Sequence, residues 1–378
     1  MAGSHTLTHR FAQGSEIDSS NRSHLPISVA ATATALPANV LDMEQVKAYL
    51  DIVFPMSESR RSTMLEVIEN TKIDKRYTIF PADYTVTPRS LEQTSREYQE
   101  HSVCLGRRAA TDCLKQAGLK ANEIDLLITV SCTGFMIPSL DAHLINELGF
   151  RNDVRRLPIT ELGCAAGAAA LGRAWDFLRG VETGNVLIVA VELPTLTFQR
   201  RDFSPANLVS STLFGDGAAA AIVTRGAAPN AGNGPRILGS QSHLFPNTID
   251  AMGFDLKDGG LHIVLSKDVP QLIRDVIREL VDKFLAKFGM QQSDLSAFVL
   301  HPGGQKLLHF IEEELGLDRS MTQYSWDTLR DYGNLSSASV LFVLQEWLTK
   351  GKVAPGERGL LAAFGPGFSA EMLMLEWA

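Results

Sequence analysis

A thiol and a carboxamide occupy matching places in this chain. Gly163-Cys164 opens the small-residue run Ala165-Ala166-Gly167-Ala168, and Gly333-Asn334 opens Leu335-Ser336-Ser337-Ala338. An imidazole, His301, closes the apolar segment 295–300. Together these types suit covalent catalysis: a thiolate attacks a carbonyl, an imidazole carries the proton, and amide and imidazole donors meet developing oxyanion charge. A lone cysteine is more often a small buried core residue. Placed at a helix start beside a glycine, with a histidine and an asparagine in related positions, Cys164 reads as a nucleophile. Helix N-terminal N–H groups and a nearby imidazole both favour the thiolate. Asn334 also suits a helix cap, and His301 a satisfied polar residue at a strand end.

The elements that must position these groups repeat. Ile124-Asp125-Leu126-Leu127-Ile128-Thr129-Val130-Ser131-Cys132 and Ser293-Asp294-Leu295-Ser296-Ala297-Phe298-Val299-Leu300-His301 are short apolar runs of the kind buried on both faces of a sheet. Each follows a helical pattern ending at a glycine, Gly118 or Gly289, suited to a left-handed cap. Matching helices follow over 140–149 and 307–316, then the glycine-led helices near Cys164 and Asn334. Strands over 185–192 and 358–365 complete the two copies. The chain thus reads as a duplicated α/β unit. Strands alternating with helices predict a largely parallel sheet in each half, with right-handed crossovers and ligand sites at strand ends.

Motifs in this order resemble those of the type III polyketide synthases, the chalcone-synthase-like enzymes of the thiolase-like superfamily. They are Leu162-Gly163-Cys164-Ala165-Ala166-Gly167, Leu213-Phe214-Gly215-Asp216-Gly217-Ala218, His301-Pro302-Gly303-Gly304, Tyr332-Gly333-Asn334-Leu335-Ser336-Ser337-Ala338 and Phe364-Gly365-Pro366-Gly367. The resemblance spans about residue 27 to the end. It implies a five-layered αβαβα fold, a homodimer, and Cys164, His301 and Asn334 as the catalytic set. It further implies Phe214 as a gatekeeper between a coenzyme A tunnel and the cavity, Ser336 at the substrate pocket, and Gly365, Pro366 and Gly367 as a cyclisation-pocket loop. Asp216 would brace its turn. Cys132 falls where plant relatives carry threonine and several bacterial ones cysteine, and reads as a pocket wall. Thr197 aligns with a cavity threonine, and Ile137 with the residue that walls the partner's pocket across the dimer. Arg60 and Arg61 are candidates for coenzyme A phosphates.

Two departures from the plant pattern bear on substrate. Ile263 stands where a second gatekeeper phenylalanine is usual, and Phe254 where a cavity glycine is usual. One wall loosens while another fills, which argues against an aromatic starter. The implied activity is decarboxylative condensation of malonyl-CoA units onto a fatty acyl-CoA starter, closing to an alkylpyrone or alkylresorcinol. An alternative makes tetrahydroxynaphthalene from malonyl-CoA alone. A ketoacyl synthase III-like enzyme would share the catalytic set but condense once. A cysteine thioesterase would leave Asn334 and the Phe-Gly-Pro-Gly loop unexplained. A non-catalytic thiolase-fold interaction protein would have no need to keep the three residues together.

Composition fits an enzyme of two core-bearing halves in 378 residues. A flexible tail is expected over residues 1–25, a nucleophile-bearing half over 26–230 and a His- and Asn-bearing half over 231–378, joined by the breaker-rich stretch near 226–236. The net charge of -8 argues against nucleic acid or an anionic membrane as partner. Cys104, Cys113, Cys132 and Cys164 show no metal spacing and fit reduced thiols in a cytoplasm. No stretch reaches membrane-spanning length. Neither a phosphate loop nor a dinucleotide fingerprint occurs, so no cofactor or metal is expected and coenzyme A thioesters enter as substrates.

Overall fold

Two strand sets with the same internal order carry the chain, and their side-chain alternation divides the interior into layers. The computed structural model describes residues 25–378 except 55–56, 227 and 230–233. The expected tail and part of the expected linker lie outside the described residues. Thirteen strands are present among them: β1 Ile27–Ala35, β2 Asn39–Asp42, β3 Lys75–Thr78, β4 Leu126–Val130, β5 Arg155–Ile159, β6 Gly184–Glu192, β7 Gly217–Arg225, β8 Arg236–Leu244, β9 Met252–Lys257, β10 Gly260–Leu265, β11 Leu295–Leu300, β12 Arg358–Gly365 and β13 Ser369–Glu376.

In the first half the strand order is β1-β7-β6-β4-β5, and in the second β8-β13-β12-β11. Omitting β5, each strand of one half has its counterpart in the other. Among the described residues the sets meet where Ser28 pairs with Arg236, beside the Val29 N–H that donates to the Pro235 carbonyl. A largely parallel sheet does not result. The pairs β4–β5, β4–β6 and β11–β12 are parallel, but β6–β7, β1–β7, β12–β13 and β13–β8 are antiparallel. For β12 and β13 the reason is local. After β12 the chain reverses through Pro366-Gly367-Phe368 straight into β13, and an antiparallel neighbour needs no crossover helix. Helix–strand alternation was legible for only part of each half.

Successive residues of a strand face opposite ways, and here the two faces enter different cores. Val186, Ile188 and Ala190 of β6 join a central cluster, while Leu187, Val189 and Val191 join an outer one. In the second half Leu361 and Ala363 of β12 point to the centre, and Leu360, Ala362 and Phe364 to the opposite outer cluster. Helices Ala166–Arg179 and Ser339–Lys350 fill the centre. The helix Leu91–Ala117 packs outside the first sheet, and Val269–Ala286 with Gln305–Leu315 outside the second. The layers therefore run α, β, α, β, α.

Caps set several boundaries. Ser90 and Gln93 form a capping box at the start of Leu91–Ala117, and Gly118 ends that helix at φ 69°. Gly149 and Gly316 end the matching helices Leu140–Leu148 and Gln305–Leu315 in the same left-handed conformation. Gly289 is also left-handed, but its helix ends at Ala286, before it.

Candidate active site

The two central helices begin with equivalent tight turns. Gly163–Ala165 is a 3-10 turn leading into Ala166–Arg179, and Ser336–Ala338 is one leading into Ser339–Lys350. Their backbones approach so closely that a Cβ on Gly167 would collide with the Ser337 carbonyl. Gly163, at φ 51°, packs against Pro366, whose Cδ would lie 2.5 Å from an added Cβ. This brings the Cys164 turn, the Asn334 turn and the Phe-Gly-Pro-Gly loop together.

Cys164 is 6% exposed, and its Sγ lies 3.4 Å from Ser336 Oγ. The Asn334 side chain is near enough to lower the thiol's pKa slightly. Asn334 Oδ1 accepts from the Ser336 backbone N–H at 2.8 Å and from Ser339 Oγ at 3.3 Å, while its Nδ2 reaches the Gly303 carbonyl at 3.4 Å. The amide is thus oriented with its NH2 toward the His301–Gly304 turn. Ser336 holds φ 49°, which side-chain-bearing residues seldom adopt. The bond from its N–H to Asn334 Oδ1 offsets part of that strain.

His301 follows β11, and its N–H donates to the Ala362 carbonyl at 2.9 Å. The ring is 2% exposed, and Nδ1 is buried without a partner among the described residues. Burial pulls its pKa down to about 3 and pushes the Cys164 thiol up to about 12, partly countered by Ser336. The surroundings therefore oppose the thiolate that the helix start was expected to favour, because desolvation outweighs the local donors. Charging either group alone is costly here. A proton passed from thiol to imidazole would charge both groups without changing the net charge of the site.

Cys164 opens onto a cavity of about 440 Å3. Of the residues singled out from sequence, Cys132, Thr197, Phe214, Phe254, Ile263, Ser336 and Pro366 share its wall with Cys164. Phe254 and Ile263 sit directly opposite each other in the β9–β10 hairpin. His301, Asn334, Gly365 and Gly367 lie off the wall. So does Ile137, which is fully exposed at 101%. Arg60 and Arg61 are off it too: Arg60 donates to the Phe203 carbonyl, and Arg61 lies 4.0 Å from Glu58. Asp216 is buried and accepts from the N–H groups of Ile79 and Thr195, bracing its turn. Burial raises its carboxyl to about 6.

Sequence reasoning missed Glu192. At the end of β6 it is fully buried and accepts from Thr133 Oγ1 at 2.8 Å, the Cys132 N–H at 3.1 Å and Ser337 Oγ. Cys132 Sγ lies 3.5 Å from both Glu192 Oε1 and Ser336 Oγ. A carboxylate, two thiols and a hydroxyl thereby form one chain of contacts. Burial raises both the Glu192 carboxyl and the Cys132 thiol above their ordinary values. The available signal was an acid closing an otherwise apolar strand. The contribution of Val46, Leu50, Val53 and Phe54, one apolar cluster, to the cavity lining was also unforeseen. It comes from a helix with no recognisable motif. Among the described residues no group of three or more His, Cys, Asp or Glu side chains is placed to hold a metal.

Comparison with known proteins agrees with this geometry. The model of the N-terminal domain of chalcone and stilbene synthases matches residues 15–229, and that of their C-terminal domain residues 236–377. A putative chalcone synthase of Bacillus subtilis is 33% identical over 358 residues, covering 92% of this chain and 98% of the relative. The 1,3,6,8-tetrahydroxynaphthalene synthase of Streptomyces coelicolor is 40% identical over 313 residues, covering 83% and 82%. A crystal structure of that synthase, described as a bacterial type III polyketide synthase, superposes with TM-score 0.88 at 36% identity, covering 93% of this chain and 99% of the other.

Proposed function

Since the chain belongs to the chalcone and stilbene synthase family, the type III polyketide synthases, we propose that it extends an apolar, fatty acyl-CoA starter with malonyl-CoA and closes the product to an alkylpyrone or alkylresorcinol. Cys164 is the nucleophile. Its thiol gives a proton to His301 as sulfur attacks the starter thioester, and coenzyme A leaves as a thiol with that proton. Malonyl-CoA then loses carbon dioxide. The enolate oxygen so formed is met by the Asn334 Nδ2–H and by His301, each donor contributing about 3 kcal/mol. The enolate carbon attacks the Cys164 thioester and expels Cys164, and the lengthened chain reloads for the next round. Coenzyme A thioesters are the only small molecules required, the active form is a homodimer, and four free thiols suit a reducing cytoplasm.

The observation that carries the reading is Cys164 on the wall of a cavity whose lining includes the apolar side chains of Val46, Leu50, Val53, Phe54, Phe198 and Leu261. Such a lining favours an alkyl chain over a polar or charged starter. The second reading, a synthase using malonyl-CoA alone, is favoured by the 40% identity to the tetrahydroxynaphthalene synthase.

Mass spectrometry of products from malonyl-CoA, alone and with acyl-CoA starters of graded length, tests both, with Cys164→Ala as control. Starter-dependent pyrones or resorcinols absent from the control support the first reading. A product from malonyl-CoA alone moves the assignment to the second. Coenzyme A release without carbon–carbon bond formation points to a thioesterase, and no turnover by the wild type overturns the catalytic reading.

A further inference from the structure

One cavity-wall residue is a buried cation. Arg76, on β3, is 2% exposed. A guanidinium taken out of water is costly unless its donors and charge are met. Arg76 Nη1 donates to the Ser211 carbonyl at 2.6 Å and the Phe214 carbonyl at 2.8 Å. These carbonyls belong to the last turn and C-cap of the helix Pro205–Leu213, where intrahelical donors run out. Asp216 favours the charged form from beyond ion-pair distance, but burial outweighs it and lowers the Arg76 pKa to about 10, and Nε is buried without a partner among the described residues.

The same side chain packs against the segment that carries Asn334. A Cβ on Gly333 would lie 3.0 Å from Arg76 Cγ, and one on Gly215 3.3 Å from Arg76 Cβ. Gly215 follows Phe214 and Gly333 precedes Asn334, and these two short segments pair with each other. The Asn334 N–H donates to Leu213 and the Gly215 N–H to Asn334, forming a bridge between Phe214 and Asn334. Asp216 ties that bridge to the neighbourhood of β3 from the other side. Its N–H donates to the Tyr77 carbonyl, and its carboxylate accepts from Ile79.

We infer that Arg76 is a positioning residue for the condensation half of the reaction: through the Ser211 and Phe214 carbonyls it holds the Phe214 segment, whose ring lies on the cavity wall, and the paired Asn334 segment just behind the wall as one unit. The inference rests on the reading above, in which Asn334 meets the enolate oxygen. Acylation of Cys164 uses chiefly the thiol and His301, so it depends less on Arg76 than decarboxylation does.

The test measures the two half-reactions separately in wild type, Arg76→Met and Arg76→Lys. Acyl-enzyme formation is followed by intact-protein mass spectrometry with an acyl-CoA, and decarboxylation as carbon dioxide and acetyl-CoA released from malonyl-CoA. In Arg76→Met, acylation stays within about threefold of wild type, while decarboxylation falls at least 30-fold in kcat with little change in KM. Arg76→Lys keeps the charge but not the planar fork, and it shows the same split at about a third of the size on a logarithmic scale. Should Arg76→Met fail to fold, the lysine variant alone carries the comparison. Equal loss in both half-reactions, or undiminished decarboxylation, overturns the inference. A wild type that acylates but never decarboxylates malonyl-CoA, or does neither, overturns the proposed function and the inference with it.

Discussion

Cys164 and His301 face the same difficulty: each is buried where its charged form is disfavoured, the thiol pushed up to about 12 and the imidazole pulled down to about 3. A proton leaving the thiol therefore needs an acceptor inside the site. This gives a pH-dependent expectation. With His301 present, iodoacetamide alkylates Cys164 at pH 7. In His301→Gln that acceptor is gone while burial still opposes the thiolate, so the pH 7 rate falls at least tenfold and rises with pH. Coincident rate profiles for the two proteins would remove His301 as the proton acceptor. Glu192 shows the limit of reading at this scale. Its type and place at the end of a strand were visible, but its bonds to Thr133, Cys132 and Ser337 join residues 59 to 145 positions apart. Nothing in local pattern connects them.

At the scale of elements, the decisive contact is the crossing of the two central helices. Gly167 lies against the Ser337 carbonyl, whereas Gly172 on the same helix would bring an added Cβ only to 3.4 Å from Ser240. Gly167→Ala must push the two helix starts apart and is expected to lose at least about 1–3 kcal/mol. Gly172→Ala should be neutral or gain a few tenths of a kcal/mol, since alanine is the better helix former. Denaturant unfolding of both variants checks the contrast. Loss of activity in Gly167→Ala should exceed that explained by unfolding, because the same displacement moves Cys164 away from Ser336 and Asn334. The β9–β10 hairpin offers a second element-level expectation. Phe254 and Ile263 form a cross-strand pair on the cavity wall, so Phe254→Ala enlarges the cavity and shifts products toward longer starters or further extension, as read by product mass.

For the whole molecule, assembly centres on Ile137, 101% exposed, with Phe135 two positions earlier at 52%. An isoleucine with its whole side chain in water is best explained by a partner surface. Ile137→Asp should move the protein from dimer to monomer in light scattering and lower activity if the partner completes the pocket. What the sequence by itself determined was local or repeated. The buried strands over 126–130 and 295–300, the capping glycines, the duplication, and the types and order of Cys164, His301 and Asn334 rest on periodicity, on backbone conformations that glycine accepts, and on motif order. Only the tertiary structure decided which strands run antiparallel, that Glu192 and Arg76 are buried beside the cavity, and that Arg60 and Arg61 turn to Phe203 and Glu58 and not to the cavity. Those facts depend on contacts between segments far apart in the chain, and on burial that sets the cost of a charge. Neither is written in the spacing of neighbouring residues.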